Sequence, residues 1–212
     1  AEAIYAVAFD LKAGQDYYRD VKARIAAAGR NPDATAILPG LVTYIGSTEA
    51  EARAKKAEMD ALLPVEHSLR ELGLFIGQDC SNWDVDAPIP ELPPLEAVSV
   101  PKGRYGTILR MIEVDTVNGQ RPLVRQVLGR LAAGGGHCTM IGTPEQVADE
   151  IELWFRNEGA DGFNLMPPML PNSLEDFIDN VIPILQQRGL FRTEYQGKTL
   201  RSHFGLEQAV RV

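Results

Sequence analysis

The 212-residue chain has few cysteines, no long apolar run and a shortage of basic residues, and each absence excludes a class of protein. Its two cysteines, Cys80 and Cys138, lack the paired spacing of a zinc site. No apolar run approaches the roughly 18 residues that a membrane-spanning helix needs, and no signal-peptide pattern opens the chain, so a cytoplasmic protein is expected. A net charge of −8, from 21 Lys and Arg against 29 Asp and Glu, argues against nucleic-acid binding.

What the chain does contain is enough apolar sequence for one sizeable core, since 45% of its residues are hydrophobic and 24% are charged. Short apolar runs predict four strands, at 1–9, 37–45, 138–141 and 162–166. Each strand is followed by a stretch in which apolar residues recur at helical spacing. The sequence therefore predicts an α/β protein built from four βα units.

The clearest of these units lies at residues 136–166. Thr143 has the position of a helix N-cap, Pro144 that of the first helical residue, and Gln146 completes a capping box. Because one helix joins the two strands of this unit, the strands are expected to be parallel. The helix carries an apolar stripe that is expected to pack on the sheet, formed by Val147, Ile151, Trp154 and Phe155.

Three further helices have predicted packing faces, and the second strand has a predicted irregularity. The pair Pro39–Gly40 indicates a bulge or an irregular first half in that strand. Small residues on the second helix are expected to let it lie close to the sheet. The predicted faces are Tyr17, Val21, Ile25 and Ala28 in the first helix, Ala50, Ala54, Ala57 and Ala61 in the second, and Leu174, Phe177, Ile178, Val181, Ile184 and Leu185 in the last.

A long insertion separates the second and third units. Parts of it have helical spacing, at 65–74 and about 120–133, whereas the proline-rich segment 79–101 has little periodicity and no predicted core of its own. Its Trp83, Asp84 and Asp86 are candidates either for a lid over a site or for an ordered arm against a partner subunit.

This organisation divides one incomplete domain into four parts. The first two βα units occupy 1–63, the insertion 64–136, the last two units 137–189, and an irregular tail 190–212. Four consecutive units form either a small open sheet or half of an eight-stranded barrel. A doubly wound open sheet would show a glycine-rich first turn, which 9–14 is not, so the half-barrel is favoured.

Five stretches in this order carry a resemblance to a known family. They are ILPGL at 37–41, GSTEAEA at 46–52, GTPEQVA at 142–148 after the Gly-His pair at 136–137, DGFNLMPP at 161–168 and RGLFRTEY at 188–195. Together they resemble the C-terminal half of the nitrilotriacetate and dibenzothiophene-sulfone monooxygenase branch of the bacterial luciferase-like superfamily. The resemblance covers essentially the whole chain.

The resemblance implies a (β/α)8 TIM barrel, with the insertion before the seventh strand. It further implies an enzyme that takes reduced FMN from a separate NADH-dependent flavin reductase and uses O2 to oxygenate a small organic substrate. Members are about twice as long, and much of their flavin site lies in the other half. The chain alone is therefore expected to be an inactive fragment, and catalytic residues cannot be assigned.

Two alternatives to this function remain open. One alternative is a luciferase-like flavin or deazaflavin oxidoreductase that does not insert oxygen; the other is a non-catalytic half-barrel that acts as an assembly module. Four parallel strands leave two edges of unpaired backbone groups. The chain is therefore expected either to form a homo-oligomer or to depend on upstream residues.

Candidate site residues should lie at the C-terminal ends of the strands, where barrel enzymes place their sites. These positions are 8–9, Tyr44, Asn164, Met166 and Pro167. Tyr44, Asn164, Met166 and Pro167 are the candidates for cofactor binding. Asn164 and Met166 share one side of their strand, and the alternative for Met166 is that it packs in the core.

The histidines and the helix start at Thr143 have simpler expected roles. His137 precedes its strand and so lies at the opposite end of a barrel, which favours a structural role. His67 and His203 are expected to be surface or packing residues. At this helix start the Thr143 side chain is expected to occupy the free N–H groups, and Pro144 has none. The negative charge of Glu145 would repel a phosphate.

Overall fold

The computed structural model describes residues 1–132 and 135–206, and it shows an α/β fold with a parallel sheet. Residues 133–134 of the insertion and 207–212 of the tail lie outside the described part. The predicted order of four strands is confirmed, although the first and last are shorter than predicted. The strands are β1 (Ala3–Ala6), β2 (Ala36–Ile45), β3 (Cys138–Gly142) and β4 (Asn164–Leu165).

The helices follow the strands as predicted, and the insertion contains one that was not predicted. That helix carries four buried residues at helical spacing, Tyr105, Ile108, Met111 and Ile112, a pattern that was present in the sequence but overlooked. Among the described residues no helix is both long and apolar enough to cross a membrane. The helices are α1 (Leu11–Ala27), α2 (Glu49–Ala61), α3 (Val65–Ile76), α4 (Lys102–Asp115), α5 (Val124–Ala132), α6 (Pro144–Arg156), α7 (Asn172–Asp176), α8 (Ile182–Gln187) and α9 (Leu200–His203), with a π-helical turn at Phe177–Val181.

Strand β2 is the centre of the sheet, because the other three strands all pair with it in parallel. Its first half, 36–39, pairs with β1, and its second half, 41–45, pairs with β3. Leu41 pairs with both Cys138 and Leu165, so β3 and β4 lie on opposite edges of β2. The change of partner falls at the Pro39–Gly40 pair, within a strand that is otherwise continuous.

The position of β4 differs from the order of a barrel, in which consecutive strands are neighbours. Here β4 pairs with β2 rather than with β3. It occupies the edge of β2 that β3 leaves free, and it thereby satisfies backbone groups of a strand that is buried from Pro39 to Ile45.

The chain buries two separate hydrophobic cores that share no residue. The first lies between the sheet and helices α6 and α8, and the second lies inside the insertion. The first includes Leu41, Ile45, Cys138, Met140, Val147, Ile151, Trp154, Phe177, Val181 and Leu185, and the second includes Leu69, Leu72, Ile76, Cys80, Ile89, Leu92, Tyr105, Ile108, Ile112, Val124, Val127 and Leu128.

The proline-rich segment 79–101, which was predicted to have no core of its own, contributes Cys80, Ile89 and Leu92 to the core of the insertion. It is held against the start of α5 and the residues before it by backbone hydrogen bonds from Ile89 N to Pro122 O and from Arg125 N to Val85 O, both 2.9 Å. Ile89 and Leu92 are buried. Periodicity detects regular elements only, whereas an irregular chain with prolines can bury single side chains between helices.

The predicted packing face of α2 is also wrong. Its four stripe alanines, Ala50, Ala54, Ala57 and Ala61, are exposed, and Ala52 is the buried residue. Ala52 lies where α2 begins, close to Gly46. A Cβ added at Gly46 would be 2.6 Å from the backbone nitrogen of Ala52. Alanine gains little from burial, so a run of alanines does not fix which face of a helix packs.

Helix α6 behaves as predicted at its start and along most of its buried face. Thr143 Oγ1 accepts from Gln146 N at 3.4 Å, and Gln146 Oε1 accepts from Thr143 N at 2.9 Å. Trp154 is 1% exposed, and its Nε1 donates to Glu150 at 3.0 Å. Phe155, in contrast, is 50% exposed, so its predicted contact with the sheet is wrong.

Trp154 is expected to contribute far more stability than its neighbour Phe155. Replacing Trp154 with alanine should lower the free energy of unfolding by about 3–5 kcal/mol, because a fully buried aromatic ring leaves a cavity. Phe155→Ala is the matched control and should cost less than about 1 kcal/mol, since surface substitutions rarely cost more. Denaturant melts of the two variants measure both values, and equal losses would contradict the placement of α6.

Candidate functional site

Two predicted site residues, Asn164 and Met166, lie against the middle of β2. The Asn164 side chain donates from Nδ2 to the carbonyl oxygen of Leu38 at 3.0 Å. The Met166 amide donates to the carbonyl oxygen of Leu41 at 2.7 Å. Both residues therefore flank Gly40, where β2 changes its pairing partner.

Met166 also joins a cluster with Tyr5 and His137, called the Tyr5 cluster below. The Tyr5 hydroxyl shares a hydrogen bond of 2.9 Å with His137 Nε2 and donates to the Met166 sulfur at 3.1 Å. The rings of Tyr5 and His137 are stacked, with centroids 5.0 Å apart and planes inclined by 26°. Three residues that are far apart in the sequence thus meet beside one strand.

Gly40 makes this meeting possible because it has no side chain. A Cβ at this position would lie 2.5 Å from His137 Nδ1 and 2.8 Å from the Met166 sulfur. His137 Nδ1 is buried and has no hydrogen-bond partner within the described residues. The Tyr5 ring, however, is 55% exposed, so the cluster is closed toward β2 and open on its Tyr5 side.

The surroundings of the cluster keep His137 neutral. Burial lowers the pKa of His137, the positive charge of Arg104 lowers it further, and the nearby Ala6 carbonyl opposes both effects. A neutral imidazole retains a lone pair on one nitrogen, which can accept a hydrogen bond or take up a proton.

Tyr44 is not part of this cluster. It is buried, and burial, reinforced by the negative charge of Asp60 on α2, raises the pKa of its hydroxyl group. The neighbouring Thr43 is buried as well, and its hydroxyl oxygen has no partner in the described part of the chain. Pro167 follows Met166 and is half-buried. The structure thus groups Asn164, Met166 and Pro167, while Tyr44 lies apart beside α2.

The three candidate lid residues make contacts inside the insertion. Trp83 packs against the core of the insertion, and Asp84 accepts a hydrogen bond from the Asp86 amide at 2.9 Å. Asp86 forms an ion pair with Arg125, which lowers the pKa of the Asp86 carboxyl group. These contacts hold the segment 79–101 on the rest of the insertion, and the lid role remains a prediction.

The other histidines and both cysteines match a structural role. His67 lies on the surface, and the ring of His203 packs on Tyr195 with centroids 4.4 Å apart. Cys80 and Cys138 are buried free thiols, and burial raises the pKa of Cys138 to about 12. The described residues contain no cluster of side chains that could hold a metal ion.

The helix starts that follow β2 and β3 do not fit the phosphate of a flavin nucleotide. At α2, Thr48 Oγ1 accepts from the Glu51 amide at 3.2 Å, and Glu51 accepts from Ser47 N at 2.7 Å. At α6, Thr143 caps the helix and Glu145 places a negative charge in its first turn. Both ends are already capped and carry acidic groups, so neither has room for an anion.

Sequence reasoning missed Tyr5, and its prediction that His137 lies at the opposite end from Met166 is wrong, because both side chains contact the Tyr5 hydroxyl group. Tyr5 is an ordinary strand residue by pattern, and no spacing rule connects it with position 137. The available signal was Gly40, because a glycine inside a strand indicates the close approach of another group.

The lowered pKa of His137 predicts a loss of stability in mild acid. The unfolded chain binds a proton near pH 6.5, whereas the folded chain does so only at lower pH, so stability should fall as the pH drops below about 6.5. His137→Gln should reduce the slope between pH 7 and pH 5.5, measured by denaturant melts. The exposed His67→Gln serves as the control, and an unchanged slope in His137→Gln would contradict the burial of the imidazole.

Comparisons with known proteins place this geometry in a family. The model of the luciferase-like monooxygenase family matches residues 1–162. The chain is 39% identical over 207 residues to nitrilotriacetate monooxygenase component A of Aminobacter aminovorans, covering 97% of this chain and 44% of the relative. It is 36% identical over 208 residues to dibenzothiophene-sulfone monooxygenase of Rhodococcus erythropolis, covering 97% of this chain and 45% of the relative.

A solved structure supports the same conclusion. EDTA monooxygenase from Chelativorans sp. BNC1 is similar with a TM-score of 0.68 and 34% identity, over 98% of this chain and 47% of that one. The chain therefore spans less than half the length of these relatives. The match over 162 residues and the shared parallel α/β fold show that the chain belongs to the luciferase-like monooxygenase family.

Proposed function

We propose that this chain forms the C-terminal half of a (β/α)8 barrel in an FMN-dependent two-component monooxygenase. The whole protein would take reduced FMN from an NADH-dependent flavin reductase and use O2 to oxygenate a small organic substrate. The observation that carries the proposal is the match to monooxygenases over 97% of the chain but only 44–45% of their length. The parts 1–63, 64–136, 137–189 and 190–212 remain our proposed division of the chain.

The open edges of the sheet support the half-barrel, although the pairing of β4 with β2 departs from the strand order of a barrel. Among the described residues, β1, β3 and β4 each pair with β2 alone, so each keeps one open edge. In a closed barrel every strand pairs on both edges. Tyr5 of β1 is 55% exposed, and Val7, just after β1, is 44% exposed. In a complete barrel, side chains that point into the interior or under the helices are covered. A second set of strands would close these edges and cover these side chains.

The proposal divides the flavin site between the two halves. The helix starts after β2 and β3 do not fit a phosphate, so we assign the phosphate of FMN to the other half. FMN supplies the redox chemistry with O2 when it is bound. The contribution of this chain would be to position Asn164 and Met166 and to exclude water with its buried core. Tyr44, Pro167 and the unpaired hydroxyl group of Thr43 are further candidate contacts to the flavin.

The relatives also suggest partners, and they leave the substrate open. One relative is named component A, which favours a separate reductase component for this protein as well. The named substrates of the relatives include aminopolycarboxylates and an aromatic sulfone. A carboxylate-rich substrate would need cationic contacts. The Tyr5 cluster contains neither lysine nor arginine, so such contacts would come from elsewhere in the protein.

Incorporation of labelled oxygen tests the proposed reaction. The whole protein, mixed with FMN, NADH, a flavin reductase and ¹⁸O2, should place one labelled oxygen atom into a product from a panel of nitrilotriacetate, EDTA and dibenzothiophene sulfone. The 212-residue chain alone is the matched control and should yield none. Conversion of a substrate that needs the whole protein and reduced FMN but yields no labelled product would support the oxidoreductase alternative, and no conversion beyond that of the reductase alone would support an assembly module.

The open edges predict self-association of the isolated chain. Unpaired backbone groups and exposed apolar side chains at a sheet edge favour pairing with another copy. Analytical ultracentrifugation of the 212-residue chain should show a dimer or larger species at micromolar concentration. A monomer with a cooperative melt would contradict the half-barrel and favour a small open sheet.

A further inference from the structure

A small pocket lies inside the insertion, where helices α3, α4 and α5 converge. Its volume is about 190 Å³, which is space for about six water molecules at about 30 Å³ each. Leu72, Leu128 and Leu131 give the pocket an apolar wall, and the buried Ser68 lies beside them. Because Leu72 and Leu128 also belong to the core of the insertion, this wall is fixed in place.

Two side chains of opposite charge line the same pocket without pairing with each other. They are Glu71 of α3 and Arg104 of α4. Within the ranges 1–132 and 135–206, no carboxylate lies at ion-pair distance from Arg104. Glu71 has a contact of 3.9 Å with His67 on its own helix, and this contact is an ion pair only when His67 is protonated. Both charges therefore remain available to a ligand in the pocket.

The guanidinium group of Arg104 is held in one orientation by two contacts. Its Cζ lies 4.7 Å from the centre of the Phe75 ring, and its Nη1 donates to the carbonyl oxygen of Gly135. This close approach requires a glycine, because a Cβ at Gly135 would lie 2.8 Å from Nη1.

The two contacts use one face and one nitrogen atom of the guanidinium group. Nε and Nη2 of Arg104 have no acceptor in the part of the chain that the structure describes. These two nitrogen atoms form one edge of the group, and their N–H groups match the two oxygen atoms of a carboxylate. Because the orientation is already fixed, a carboxylate can bind this edge without ordering the side chain first.

We propose that the pocket binds a small aminocarboxylate, with its carboxylate group on Nε and Nη2 of Arg104 and its ammonium group on Glu71. The apolar wall covers the short carbon chain between the two groups. A phosphate or a dicarboxylate fits less well, because Glu71 repels a second negative charge. The proposal concerns the insertion alone and does not depend on flavin or on the proposed function.

β-Alanine and butyrate are a matched pair of probes for this site. They share a carboxylate group and a chain length, and they differ by an ammonium group in place of a methyl group. β-Alanine should bind the 212-residue chain with a dissociation constant in about the millimolar range, as expected for a ligand of about six heavy atoms. Butyrate should bind about two- to fivefold more weakly, because a partly exposed ion pair contributes no more than that. Saturation-transfer NMR at constant ionic strength measures both affinities.

Substitutions at the two charged residues test the two ends of the ligand separately. Arg104→Gln should weaken the binding of both probes by at least about tenfold, because hydrogen bonds to a charged group are lost. Glu71→Gln should weaken β-alanine to the affinity of butyrate and should not weaken butyrate. Lys102→Gln is the control, because it removes a positive charge from an exposed residue of the same helix, and it should match the parent chain.

Four results would overturn the proposal. The first is equal binding of the two probes to the parent chain, or no binding of β-alanine. The second is unchanged affinity in Arg104→Gln, which would show that Arg104 only closes the end of α5 through Gly135. The third is an equal loss in Lys102→Gln, which would show general attraction of anions. The fourth is an unchanged preference for β-alanine in Glu71→Gln; this substitution lies on a largely exposed side chain, so it decides the question even where Arg104→Gln lowers stability.

Discussion

The structure depends on the hydrogen bonds of one buried strand. β2 is buried from Pro39 to Ile45, and no water reaches its backbone groups there, so neighbouring strands must satisfy them on both edges. Pro39 has no amide hydrogen, and the pairing partner of β2 changes at this residue. The short strand β4 then pairs with Gly40 and Leu41 on the edge opposite β3. The need of the β2 backbone for hydrogen-bond partners thus determines where the candidate residues Asn164 and Met166 lie.

Much of the fold could be predicted because local signals and tertiary packing agree. Thr143, Pro144 and Gln146 fix the start of α6 through hydrogen bonds within one turn, so the sequence alone contains the information. Trp154 could be placed because a large aromatic residue on an apolar stripe has a strong preference for burial. Its neighbour Phe155 belongs to the same stripe by spacing but is half-exposed, because the buried face of α6 is centred on Val147, Ile151 and Trp154.

The failures of prediction occurred where packing decides and local preference does not. The alanine face of α2 carries little transfer free energy, so the close approach of Ala52 and Gly46 sets the orientation of the helix instead. The core of the insertion joins side chains from helices and from irregular segments, which no single period reveals. The Tyr5 cluster unites positions 5, 137 and 166 through the sheet, and only Gly40 marked that approach in the sequence.

Two sets of contacts lie near the C-terminal end of β1, and they differ in physical character. In the Tyr5 cluster, His137 lies just before β3 and is held by stacking on Tyr5 of β1 and by a hydrogen bond to its hydroxyl group. Beyond the C-terminal end of β1, in contrast, Phe9 and Asp10 meet the insertion through a cation–π contact with Arg130 and an ion pair with Arg110. Barrel enzymes place their chemistry at the C-terminal ends of their strands, where loops can move over a rigid sheet. If the half-barrel proposal holds, Met166 brings the Tyr5 cluster toward this end as well, because the pairing register places the end of β4 level with the start of β3.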